Sequence, residues 1–158
     1  FMLIQFQEYL TFENIYLWLN FGVLPFWLML IIIPNSRITQ IFVNSIVLPL
    51  IFSAGYIYLV YQMILLDESI LDSFKLYLGL DDLYTLFATE SFLLIFWIHF
   101  LALNLFLGSW VARDGVKYNI ARAIMLISLI LIYLTGPLGL VFYWIFRVFY
   151  AKKIGLHD

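Results

Sequence analysis

Residues Phe96–Gly115 read FWIHFLALNLFLGSWVARDG, with no charged side chain before Arg113. An α-helix of about 20 mostly apolar residues crosses the hydrocarbon layer of a bilayer, and this stretch has that length and character. It nevertheless keeps His99 and Asn104 near its middle. Polar side chains at that depth are costly and usually turn into a bundle or a wet cavity.

The rest of the chain agrees with the membrane reading. Its 158 residues are 65% hydrophobic and 11% charged, too few charges to give a domain of this size a soluble skin. Sixteen Phe and eleven Tyr suit lipid contact and interfacial belts. With no cysteine, disulfides and thiolate chemistry are excluded. No basic patch points to nucleic acid. No basic segment followed by a small-residue cleavage site precedes the first apolar run, so no cleaved signal peptide is expected.

Four long apolar runs stand out, at about Asn14–Ile33, Ile41–Leu66, Ser91–Val111 and Ala121–Tyr150. They end at PNSR, at DES, at RDG and near the last lysines. None alternates with period two, so helices are expected and strands are not. Between the second and third runs, Asp67–Glu90 mixes acids with Ile, Leu, Phe and Tyr. It reads either as one or two amphipathic helices lying at the interface or as a solvated loop. The expected fold is therefore all-α: a polytopic membrane protein with four transmembrane helices, forming one domain over residues 1–158, with an interfacial segment at 67–90.

Four crossings put Arg37, Arg113, Lys117 and Arg122 on one side and Lys75, Arg147, Lys152 and Lys153 on the other, a tie. Arg37 follows the first run and no Lys or Arg precedes it, which favours both termini facing away from the cytoplasm.

At 100° per residue, His99, Phe106 and Trp110 share one stripe of the third helix. Glu90, Trp97, Asn104 and Gly108 share another, and both polar residues are expected to face inward. They either hydrogen-bond neighbouring helices or line a site in which His99 exchanges protons. In the last run, TGPLGLVFYWIFR groups Gly136, Pro137 and Gly139, where backbones or a ligand approach closely, and puts Gly136, Tyr143 and Arg147 on one face. Arg147 either snorkels to the interface or serves a buried acid or ligand oxygen. Trp27, Trp97, Trp110, Gly136, Gly139 and Tyr143 would border a groove for a long, flat, apolar ligand. No lysine lies within a run to anchor a Schiff base, no acidic cluster lies there to hold two metals, and no glycine-rich phosphate loop is present.

The stretch WIHFLALNLFLGSW, Trp97–Trp110, followed by Asp114, resembles the signature helix of the abscisic acid-deficient-four-like family, the neoxanthin synthase relatives. GPLGL at Gly136–Leu140 with Arg147 beyond it resembles the closing helix, and LPFWLMLIIIP up to Pro34 the first. Two positions depart from the family pattern: its acidic residue in the signature helix is Asn104 here, and its arginine before the tryptophan is Ser109. The resemblance implies cofactor-free isomerisation of an epoxy-carotenoid, violaxanthin to neoxanthin. It further implies that His99 donates or accepts the proton, with Asn104 beside it and Asp114 or Arg147 steadying the oxygen. The alternative is a non-catalytic membrane protein that binds pigment or lipid, or an accessory subunit of a membrane assembly. The partners expected are membrane lipid and a long apolar ligand such as a carotenoid, with oligomerisation left open. The location expected is a bacterial inner membrane or a plastid-type membrane.

Overall fold

The computed structural model describes residues 10–45, 47–65, 70–152 and 155, and every regular element among them is helical. In chain order these are α1 (Phe12–Ile32), α2 (Arg37–Phe42), α3 (Val47–Leu65), a 3-10 helix (Ile70–Tyr77), α4 (Leu80–Phe87), α5 (Glu90–Lys117), α6 (Arg122–Thr135) and α7 (Pro137–Ala151). Three stretches are long and apolar enough to cross a membrane: Phe12–Ile32, Arg37–Leu65 and Glu90–Lys117. The chain divides into two compact units, one of residues 1–22 and 49–100, the other of residues 23–48 and 101–158.

In the first unit the core joins Ile15 of α1, Leu59 and Met63 of α3, and Leu94 and Ile95 of α5. Gly55 lets α3 approach α5 closely, because a Cβ there would lie 2.9 Å from Ile98 Cδ1. Tyr16 of α1 meets the ring of Trp97, and Trp97 Nε1 donates to Asn20 Oδ1 at 3.3 Å. The Asp67–Glu90 segment, where described, is the 3-10 helix and α4. Phe87 pins the end of α4 to α5 edge-on against Phe92 and Phe96.

The second unit begins where α1 carries Trp27 across Gly108 of α5, whose missing side chain leaves room for the indole: a Cβ would sit 2.7 Å from it. After α1, Ser36 caps α2 by accepting from the Thr39 amide at 3.1 Å, and Thr39 Oγ1 donates back to the Ile33 carbonyl at 2.7 Å. The PNSR cluster thus turns the chain with its own side chains.

The fourth apolar run, expected as one crossing helix, is two. Gly136 ends α6 and starts α7 at φ 67°, a left-handed conformation natural to glycine. Pro137 follows at the first position of α7, where its missing N–H costs nothing. The chain folds back sharply. A Cβ on Gly139 would fall 2.3 Å from the Ile132 nitrogen and 2.7 Å from the Ser128 carbonyl oxygen. Eleven residues of straight helix would hold residues 128 and 139 about 16 Å apart.

The hairpin lies along α5. Met125 packs on Gly115, Leu129 reaches Gly108 and Gly136 abuts Asn104, so α6 runs antiparallel to α5. Tyr143 and Arg147 then meet Trp110 and Asp114, so α7 runs back toward the Lys117 end. The turn at Gly136 is therefore level with Asn104, at the middle of the 28-residue α5.

Candidate functional site

The most connected polar group lies in the second unit, between the end of α5 and α7. Arg147 Nε donates to Asp114 Oδ2 at 2.6 Å, and its Nη2 to Oδ1 at 3.3 Å. The Tyr143 hydroxyl donates to Oδ2 at 2.6 Å, and Arg147 Nη1 donates to the Gly155 carbonyl at 3.2 Å. Arg147 and Tyr143 are 0% exposed and Asp114 8%. The guanidinium lies 5.0 Å from the Trp144 ring centre and 5.1 Å from that of Tyr118, with Trp110 at 6.0 Å. Three of the expected site residues, Asp114, Arg147 and Tyr143, thus converge, with Trp110 beside them. Arg147 does not snorkel. Each carboxylate oxygen and each guanidinium nitrogen is already engaged, so the cluster is a closed ion pair that fastens α7 to α5.

Asn104 faces inward as expected, 7% exposed, with its oxygen against Gly136. Its Nδ2 has no hydrogen-bond partner, so it is an open donor at mid-helix. Ser109 is satisfied, its hydroxyl donating to Asn44 Oδ1. Trp27 is buried across Gly108 and edge-on to Tyr133. Gly136 and Gly139 form the hairpin turn and its backbone crossing, so both serve the fold of the hairpin.

His99 lies in the first unit and does not face inward. It is exposed, on the face of α5 that also exposes Phe96, Leu103 and Phe106. Of the stripe seen in the sequence, His99 and Phe106 point outward, because Leu101, Leu105, Ala112 and their neighbours take the inner face, whereas Trp110 is half-buried against Tyr143 and Trp144. The imidazole stands edge-on to Tyr56 at 5.1 Å, and its Nδ1 lies 3.2 Å from the Ile95 carbonyl oxygen. A carbonyl only accepts, so in the neutral ring Nδ1 carries the hydrogen and Nε2 keeps the lone pair.

Trp97, the last expected ligand residue, lines a cavity of about 550 Å³ in the first unit, with Phe12, Glu13, Tyr16, Glu90, Leu93 and Leu94. A neighbouring cavity of about 540 Å³ shares Phe12, Glu13 and Glu90 and adds Leu10, Thr11, Tyr58 and Gln62. Gln62 Nε2 donates to the Tyr58 hydroxyl at 2.6 Å. Glu13 opens α1 and Glu90 opens α5, positions where a carboxylate is favoured by the helix dipole. Sequence reading passes over Glu13 because a first-turn acid has this ordinary explanation. Its sharing of a cavity with Glu90 depends on how the two helix starts are paired. Among the described residues no group of three or more His, Cys, Asp or Glu side chains could hold a metal ion.

A model of the ABA DEFICIENT 4-like family matches residues 14–143, most of the chain. The chain belongs to that family. No curated protein and no solved structure matches it. The family match runs from the first turn of α1 to Tyr143, and so takes in Glu90, Trp97, Asn104 and Asp114 but ends before Arg147. Together with the three long apolar stretches, it makes this a membrane protein of the neoxanthin synthase-like group.

Proposed function

We propose that this protein binds a xanthophyll in the membrane and isomerises its epoxide end group without a cofactor. The observation that carries the reading is the cavity of about 550 Å³ under Trp97, a size usual for small-molecule sites. Its aromatic and leucine lining suits a methylated end ring. Glu13 and Glu90 open two of the helices long enough to cross a membrane, and a bilayer-spanning xanthophyll carries its oxygens at its ends. Family membership supports the substrate class.

The chemistry balances with two carboxyl groups. As the epoxide C–O bond opens, its oxygen takes a proton and becomes a hydroxyl. A proton leaves the adjoining polyene carbon, and that C–H electron pair becomes the new double bond of the allene. No electrons are gained or lost. Glu13 and Glu90 are the two carboxyl groups at the cavity, one to give the proton and the other to remove the second. This assignment replaces His99, Asn104, Asp114 and Arg147 as reacting groups. Asp114 and Arg147 are hydrogen-bonded to each other, to Tyr143 and to Gly155, and in this reading they position α7 instead. In the same reading the described part of the segment, residues 70–90, lies at the interface, in a bacterial inner membrane or a plastid-type membrane.

A second reading, a non-catalytic pigment- or lipid-binding protein or an accessory subunit, draws on the exposed His99 face. A polar side chain in a lipid-facing stripe is what a second copy or a partner helix would cover.

The test is purification from a carotenoid-making host, with pigment analysis of protein and host. The wild type is expected to come out coloured, and Trp97→Ala colourless at similar yield. Glu13→Gln and Glu90→Gln are expected to hold pigment but lose conversion of an epoxy-xanthophyll. A colourless wild type overturns the proposal. Pigment binding with conversion unchanged in both glutamine variants overturns the acid–base assignment, and binding without any conversion by the wild type leaves the second reading.

A further inference from the structure

We propose that α6 and α7 form a re-entrant hairpin, so that the chain crosses the membrane three times and presents one strongly basic end to the anionic headgroups of the untranslocated face. Such a topology is independent of any ligand.

The two helices are too short to cross. At 14 and 15 residues they measure about 21 and 22 Å, against a hydrocarbon layer of about 30 Å. They are also folded against each other. The contacts of α6 with α5 run from Gly115–Met125 through Gly108–Leu129 to Asn104–Gly136, descending from the Lys117 end to the middle of α5. Those of α7 run from the Asn104 level back to Asp114, where Arg147 is held by both carboxylate oxygens. A fourth crossing would need α7 to continue toward the Glu90 end of α5. It does the opposite.

Backbone groups at a turn inside the bilayer are tolerated where protein buries them, and Gly136 is buried against Asn104. The turn also uses few donors there: the Gly136 amide donates to the Ile132 carbonyl at 2.8 Å, and Pro137 has no N–H.

The charge pattern then changes meaning. Counted for four crossings, Lys and Arg tie. With the hairpin returning, Arg147 and Lys152 join Arg37, Arg113, Lys117 and Arg122 at one end. Arg37 belongs there because α1 passes Trp27 over Gly108 before turning at residues 33–36. Arg37, Arg113, Lys117, Arg122 and Lys152 are all exposed. In this unit, the sole acid among the described residues is the buried Asp114, neutralised by Arg147. Among the described residues of the first unit, Lys75 is the one Lys or Arg, against the acids Glu13, Asp72, Asp81, Asp82 and Glu90. Such an excess of Lys and Arg near helix ends holds that face on the side from which loops are not translocated, where anionic lipids attract each cation.

Cysteine labelling tests this cleanly, since the chain has no cysteine of its own. Single variants Asp81→Cys, Ala121→Cys and Lys152→Cys, all at exposed positions, are made in membrane vesicles of known sidedness. Each is treated with a membrane-impermeant maleimide before and after the vesicles are opened, with a permeant maleimide reporting that the thiol is reactive. Ala121→Cys and Lys152→Cys are expected to label from the untranslocated face and Asp81→Cys from the opposite one. If Lys152→Cys labels with Asp81→Cys, the chain crosses a fourth time and the hairpin reading falls. If Ala121→Cys and Lys152→Cys label together but from the translocated face, the basic end does not meet the untranslocated surface and that half is overturned.

Discussion

Arg147 is 0% exposed, with a hydrogen bond from each guanidinium nitrogen. Removing one member of a buried pair strands the other charge and costs about 3–5 kcal/mol. Arg147→Ala and Asp114→Ala are each expected to lower thermal stability in detergent by that order, while the double variant loses clearly less than the two losses added. Additive losses would mean that the two side chains do not act as a pair. His99 should behave differently. Exposed, and touching one aromatic edge, it can become Phe with a stability change within about 0.5 kcal/mol, checked by the same melting measurement. If His99→Phe instead disperses a purified oligomer, the exposed face is an assembly surface. His99 reverses its sequence reading and Arg147 takes the second of its two, for one reason: burial depends on which face of a helix its neighbours occupy. Periodicity groups side chains into faces without saying which face is covered.

At the scale of elements, glycines with different surroundings make a controlled comparison. At Gly22 of α1 an added Cβ would have nothing within 4 Å, so Gly22→Ala should stabilise slightly, by up to about 1 kcal/mol, through helix propensity. A methyl on Gly139 would meet backbone atoms of α6, which cannot move aside as a side chain can. Gly139→Ala should therefore cost several times what Gly22→Ala gains and loosen the hairpin. Melting temperatures and limited proteolysis between α6 and α7 check both, and equal effects would refute the close crossing. The long helices are legible in the sequence because each apolar run closes with its own signal: PNSR, DES, RDG. The hairpin is written there too. Glycine just past one helix and proline at the first position of the next is a stop followed by a start, yet inside the thirty-residue run Ala121–Tyr150 it reads as a kink, because length alone satisfies a crossing. The cavity is less legible. Trp97 is conspicuous, but its partners Phe12, Glu13 and Tyr16 come from a helix some eighty residues earlier, and only the register of α1 against α5 brings them to it.

For the whole molecule, the separation of charge between its two units is the organising fact. Lys75 stands among acids in one, and six described Lys and Arg residues lie in the other. Reversing part of that separation should disturb insertion: Asp81→Lys with Asp82→Lys, combined with Arg37→Gln and Arg122→Gln, is expected to give a mixed population by reporter fusions at either terminus. A uniform orientation would show that something other than loop charge sets it. The Asp114–Arg147 pair also has a bearing on biosynthesis. The carboxylate is made 33 residues before the cation that neutralises it. As the nascent chain leaves the ribosome, α5 must carry an uncompensated acid until the last apolar helix emerges, so a chain stopped before Arg147 should be recognised by membrane proteases as unfinished and degraded. The order in which these two residues are synthesised thus leaves α5 with an unpaired carboxylate for the length of α6.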